Sequence, residues 1–256
     1  MRRRERFVIT AIFLGILLWV IQMVPLNWRY LAIVFFSLIT YLTSALAFGR
    51  DVRARHWLTF LPLPALYSLS IGAFYFLLPT HFTSMITVLG LFSLGMYALF
   101  LTGNIFFVVQ HHRSIQLLHA AQNIALFFTI IISLLGVQVI FSFNLPYYLN
   151  FAAVFALHFP LIYTITWSVN LQKKLSRKLF QLSFFSTLLI SEIALVLSFL
   201  PLAPWHIALL IMSVFYLILG LLQVFLSEKL FRQAINEYRF LAFFIALMFI
   251  LLFPGK

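Results

Sequence analysis

The sequence predicts an all-α integral membrane protein, a polytopic bundle of about nine transmembrane helices. Three observations carry this reading. Of the 256 residues, 64% are hydrophobic and only 9% are charged, against about 25% charged in an average soluble domain. A soluble fold of this size has no interior large enough for so much apolar surface. The apolar residues form continuous runs close to the ~20 residues a helix needs to cross a hydrocarbon core. The connections between those runs alternate between basic and nearly uncharged.

Only helices and closed barrels satisfy their backbone groups in lipid, and continuous rather than alternating apolar runs select helices. The first run, 7–24, follows the basic start "MRRRER". It resembles a signal peptide, but it exceeds the usual apolar core of about 7–15 residues and lacks a small-residue cleavage site. It is read as an uncleaved first span. The next runs are 30–48, 57–79, 83–109, 115–142, 147–169, 179–200 and 205–226. The third opens on "FLPLPAL", where Pro62 and Pro64 adjust the helix start. A proline ring removes a backbone donor and is tolerated only in the first turn. The ninth run, 239–254, is short enough to be re-entrant instead.

The basic connections are "MRRRER", "GRDVRAR", "HHR", "NLQKKLSRK" and "SEKLFRQAINEYR". They hold fifteen of the seventeen Lys and Arg, and the other side holds Arg29 and Lys256. Basic loops face the cytoplasm, so the N-terminus is cytoplasmic and, with nine spans, the C-terminus is outside. Cysteines introduced at Ser176 and Thr83 are expected to label from opposite faces in this cysteine-free chain. Labelling from one face would overturn the threading. The basic clusters are accounted for by topology, so the net charge of +12 is no sign of nucleic acid. No connection is long enough for a soluble module, and residues 1–256 are read as a single transmembrane domain in the plasma (cytoplasmic) membrane.

Few side chains are costly in this setting. Of the five acids, Glu5, Asp51, Glu228 and Glu237 fall in basic connections. Glu192 alone lies deep in a span, within "LLISEIALVL". A charge at the bilayer centre costs about 2.5–3.5 kcal/mol on insertion scales. A carboxyl group lowers that cost by keeping its proton, and is expected to face protein rather than lipid. Ser183, Thr187 and Ser191 recur every four residues on the same helix, with Ala194 and Ser198 close to their face. Such a stripe lets a neighbouring backbone approach closely. Glu192 is then aimed into an adjoining crevice.

His158 is the candidate partner. It lies near mid-span beside Pro160, which removes the hydrogen bond to the Ala156 carbonyl and kinks the helix. His158 is read either as the donor that satisfies the broken turn or as the partner of Glu192. A second polar layer near the cytoplasm contains Asn104, Gln110, Gln116, His119, Gln122 and Asn123. Gln116, His119 and Asn123 share one helical face, and Thr129, Ser133 and Gly136 continue the band. The layer is expected to point inward, as plain packing or as a polar inlet.

The motifs of several chemistries are missing. There is no HExxH, no GxSG, no P-loop, no GxGxxG and no cysteine. No span carries a lysine for a Schiff base. "HAAQN" and "EKLFR" lack the paired glutamates of a CAAX-type intramembrane protease. No cofactor and no metal are expected. The leading functional expectation is a small carrier or flippase-like transporter, proton-coupled through Glu192. The alternative is a non-catalytic membrane subunit or scaffold that binds partner helices. A lipid-acting intramembrane enzyme is the third. Membrane lipids and a helix-packing partner or a second copy are the expected partners.

Overall fold

The computed structural model describes residues 3–49, 56–78, 82–109, 115–171, 176–227 and 232–252, and among these every regular element is a helix. The helices are α1 (Arg3–Gln22), α2 (Arg29–Phe48), α3 (His56–Thr59), α4 (Pro62–Tyr75), α5 (Phe82–Val109), α6 (Ile115–Ser142), α7 (Tyr147–Asn170), α8 (Arg177–Leu197), α9 (Pro204–Leu226) and α10 (Arg232–Leu252). A single 3-10 turn, Leu26–Trp28, leads into α2. Gln110, His111, His112, Asp51, Glu228 and Lys256 lie outside the described residues.

Among the described residues, eight helical segments are long and apolar enough to cross a membrane. They match the first eight predicted spans. The third is α3 plus α4, and the break falls where the prolines predict it: α4 starts on Pro62, and the Leu63 amide bonds the Phe60 carbonyl at 3.0 Å. The ninth predicted span is the helix α10, which begins earlier than residue 239 and carries Arg232, Glu237 and Arg239 in its first half. Most of its described side chains are exposed.

The chain forms two compact units, Met1–Ile132 and Ser133–Lys256, and the boundary falls inside α6. In the first unit α1 packs on α2 and α5, and α4 packs on α2 and α5. Its centre is a network of rings. Phe48 meets Phe107 edge-on at 5.0 Å, Phe7 at 5.4 Å and Phe100 at 5.8 Å, and Phe60 meets Phe106 at 5.8 Å. Edge-to-face rings at these spacings contribute about 0.5–1.5 kcal/mol per pair beyond burial. In the second unit α7 packs on α8 and α9, and α9 also packs on α8 and α10.

The buried face of each helix is set by shape as much as by polarity. On α1, Phe7, Ala11, Leu14 and Leu18 are buried, whereas Val8, Ile9, Ile12 and Phe13 are exposed. Both sets are apolar. An apolar exposed face is the expected surface of a helix that meets lipid.

Candidate functional site

The polar groups of the second unit are distributed over two faces of one helix bundle. The inner set begins with His158 on α7, which is fully buried. Its Nδ1 lies 2.9 Å from the Val154 carbonyl and its Nε2 lies 2.9 Å from Ser133 Oγ on α6. A carbonyl oxygen only accepts, so Nδ1 carries the hydrogen. Nε2 of the neutral ring then accepts from the Ser133 hydroxyl. Phe215 on α9 closes the pocket, edge-on to the imidazole at 4.9 Å. Neither reading of His158 is met as stated: its two ring nitrogens bond Val154 and Ser133, not the broken turn and not Glu192. The ring caps the Val154 carbonyl and not that of Ala156, which Pro160 frees.

The same face continues along α8. Ser183, Thr187, Ser191 and Ala194 are all fully buried. Ser183 Oγ meets Thr166 Oγ1 of α7 at 3.1 Å. Thr187 and Ser191 return their hydroxyl hydrogens to carbonyls four residues back, at 2.7 and 2.9 Å. Further out, Asn150 donates to the Leu145 carbonyl and to Ser198 Oγ, each at 3.2 Å. The small-residue stripe is thus the side of α8 that grips α7.

Glu192 occupies the other side. The expectation that it faces the bundle interior does not match its position: it is exposed. The reason is geometric. The stripe takes the inward face of α8, and Glu192 lies about 100° round from Ser191. Phe185, Leu189, Val196 and Phe199, all exposed, share its face at i−7, i−3, i+4 and i+7. The expected crevice does exist. Glu192 lines an open groove of about 520 Å³ formed by α8, α9 and α10. Val196, Val214, Leu217, Ala242 and Ala246 help to line it, and among the described lining residues Glu192 is the one that is polar. Among the described residues Glu192 makes no hydrogen bond or ion pair. His158 and Glu192 are not brought together, since both ring nitrogens of His158 have other partners.

The proposed inlet residues are also placed differently from expectation. Gln116, His119 and Asn123 are exposed on the first turns of α6, and Asn104 on α5 and Gln122 are half-buried. His119 Nδ1 and Gln122 Oε1 lie 3.2 Å apart, a contact within one helix turn. This end of α6 follows a basic connection, where water and head groups supply the hydrogen bonds that an interior would otherwise have to provide. The band turns inward only at Thr129, Ser133 and Gly136, which are buried.

Residues 39–252 match the family model described as a protein of unknown function, DUF5656. The chain belongs to the DUF5656 family. No curated protein and no solved structure matches it. The matched stretch runs from the middle of α2 to the end of α10, so the DUF5656 region contains the His158 pocket and the Glu192 groove and leaves α1 outside.

Two contacts in this region escape sequence reading. Ser133 stands out as part of a polar band but not as the partner of His158, twenty-five residues away. Ala242 and Ala246, one turn apart on α10, carry a weak signal: they are small residues on a helix whose exposed side chains are mostly large.

Proposed function

We propose that this protein is a non-catalytic membrane subunit that receives a transmembrane partner helix in the groove of α8, α9 and α10. The observation that carries the reading is Glu192, exposed and without a partner among the described residues, in an otherwise apolar groove. Glu192 precedes the outer end of α8 at Leu197 by five residues, or about 7.5 Å. Side chains on a helix tilt toward its N-terminus, which for α8 is the cytoplasmic end in the threading above. The carboxyl group therefore points away from the outer head groups. A donor has to reach it at hydrocarbon depth, and a Lys, Arg or other hydrogen-bond donor on a spanning helix does so. Such intramembrane ionisable groups pair with one another. Ala242 and Ala246 let a foreign backbone come close.

A proton-coupled carrier would need Glu192 to act with His158 and an inlet through His119 and Asn123. The geometry lends neither link support, because the two sites lie on different faces and the inlet residues are exposed.

A photo-crosslinking amino acid at Val196 tests the proposal in native membranes. The expected product is one discrete protein adduct. Its partner carries a basic or donor residue in the outer half of a span. Glu192→Leu should abolish the adduct, Glu192→Gln should weaken it, and exchanging Glu192→Lys against an acid on the partner should restore it. An adduct with lipid alone, or one that survives Glu192→Leu, would overturn the assignment.

A further inference from the structure

We propose that a second groove, between α1 and α2, holds an anionic phospholipid of the cytoplasmic leaflet with its phosphate on Arg6. This site lies in the first unit and is independent of the Glu192 reading.

The groove encloses about 320 Å³ and is lined by Arg6, Ile9, Thr10, Phe13, Thr43 and Leu46, with Ala47 behind them. Arg6 is half-buried, and its Nε is cut off from solvent with no hydrogen-bond partner among the described residues. The guanidinium makes no ion pair among the described residues. A cation in such a position calls for an anion, because a guanidinium offers five donors and cannot give up its charge. Its Nη1 lies beside Gly49, where a Cβ would come within 3.6 Å.

The two threonines do not compete for the role of anion donor. Thr10 Oγ1 donates to the Arg6 carbonyl and Thr43 Oγ1 to the Ile39 carbonyl, both at 2.8 Å. Their hydroxyl hydrogens are used, so among the described lining residues Arg6 supplies the charge-assisted bonds. Arg matches phosphate oxygens with two parallel N–H groups.

The walls identify the phosphate as part of a lipid. From Arg6 to Phe13 the groove follows α1 for about 10.5 Å. Along it Ile9 and Phe13 are each 50% exposed, and Leu46 of α2 is 76% exposed. A head group at Arg6 places an acyl chain on this apolar wall. The topology puts Arg6 at the cytoplasmic surface, where anionic lipids concentrate.

The test is native mass spectrometry of the full chain released from phosphatidylcholine vesicles doped with phosphatidylglycerol. Wild type should retain phosphatidylglycerol preferentially. Arg6→Gln should lower that preference about fivefold, the share of one basic contact at a membrane surface. Arg4→Gln, at an exposed position two residues earlier and about 200° round the helix, should retain it. Leu46→Trp fills the wall at an exposed position, so it tests the site if Arg6→Gln misfolds, and it should also lower retention. Excess inorganic phosphate should not displace the lipid. Displacement by phosphate would indicate a plain anion site and overturn the lipid assignment. Equal retention by wild type, Arg6→Gln and Leu46→Trp would overturn the site itself.

Discussion

Gly103→Val is expected to cost the first unit about 3 kcal/mol, the upper part of the usual range for overpacking a core. Gly103 lies on α5 where the ring network closes on the backbone. A Cβ there would meet Phe60 Cε1 and would stand 2.7 Å from Phe48 Cζ and 2.8 Å from Phe60 Cζ. Neither ring has room to withdraw. Phe60 is fully buried and Phe48 is 4% exposed. Phe107 presses on both, with centroids at 5.0 Å from Phe48 and 6.0 Å from Phe60. A valine adds two further carbons to the same volume. Gly90→Val is the control on the same helix, because nothing lies within 4 Å of a Cβ at Gly90. Thermal unfolding in detergent should separate the two variants clearly. Equal melting temperatures would show that the aromatic network yields to a side chain at Gly103 and does not hold the unit together.

The sequence is legible where the bilayer imposes a rule and opaque where only packing decides. Span positions were legible because hydrocarbon demands about 20 apolar residues per helix, and eight segments of that kind are present among the described residues. The break before Pro62 was legible because a proline cannot sit in a helix interior without losing a hydrogen bond. Which face of a span is buried was harder. On α1, Leu14 is buried and Ile12 is exposed, yet no polarity difference separates them. The phenylalanines read as bulk apolar mass, while Phe7, Phe48, Phe60 and Phe107 in fact form the centre of a unit.

Glu192 shows where a sound rule met a competing one. Intramembrane acids usually face the bundle interior, but α8 has one inward face, and Ser183, Thr187, Ser191 and Ala194 already occupy it. The large side chains in register with Glu192, from Phe185 to Phe199, were the signal that its face is the outer one. In the sequence Arg6 is one basic residue of the cluster "MRRRER". The placement of its guanidinium, with no ion pair among the described residues, becomes visible only when Gly49 and the two threonines are seen around it.

His158→Ala is expected to destabilise the second unit by about 2–5 kcal/mol, the range for truncating a large, fully buried side chain. The change opens a cavity against Phe215 and removes the acceptor of the Ser133 hydroxyl. Ser133→Ala leaves the imidazole in place and bonded to Val154, so it should cost less. A double-mutant cycle between Ser133→Ala and His158→Ala isolates their bond. Polar pairs between membrane helices couple by about 0.6 kcal/mol on average and 1.7 at most. A buried bond of 2.9 Å belongs in the upper half of that range, so a coupling of about 1 kcal/mol is expected. Strict additivity would mean that the bond contributes nothing and that packing alone holds α6 to α7. The same variants also separate structure from assembly. His158 does not touch the groove of α8, α9 and α10, so His158→Ala should lower the yield of folded protein while the Val196 crosslink per folded molecule stays at the wild-type level. Loss of that crosslink in folded His158→Ala would tie the pocket to the groove and return His158 and Glu192 to a common role.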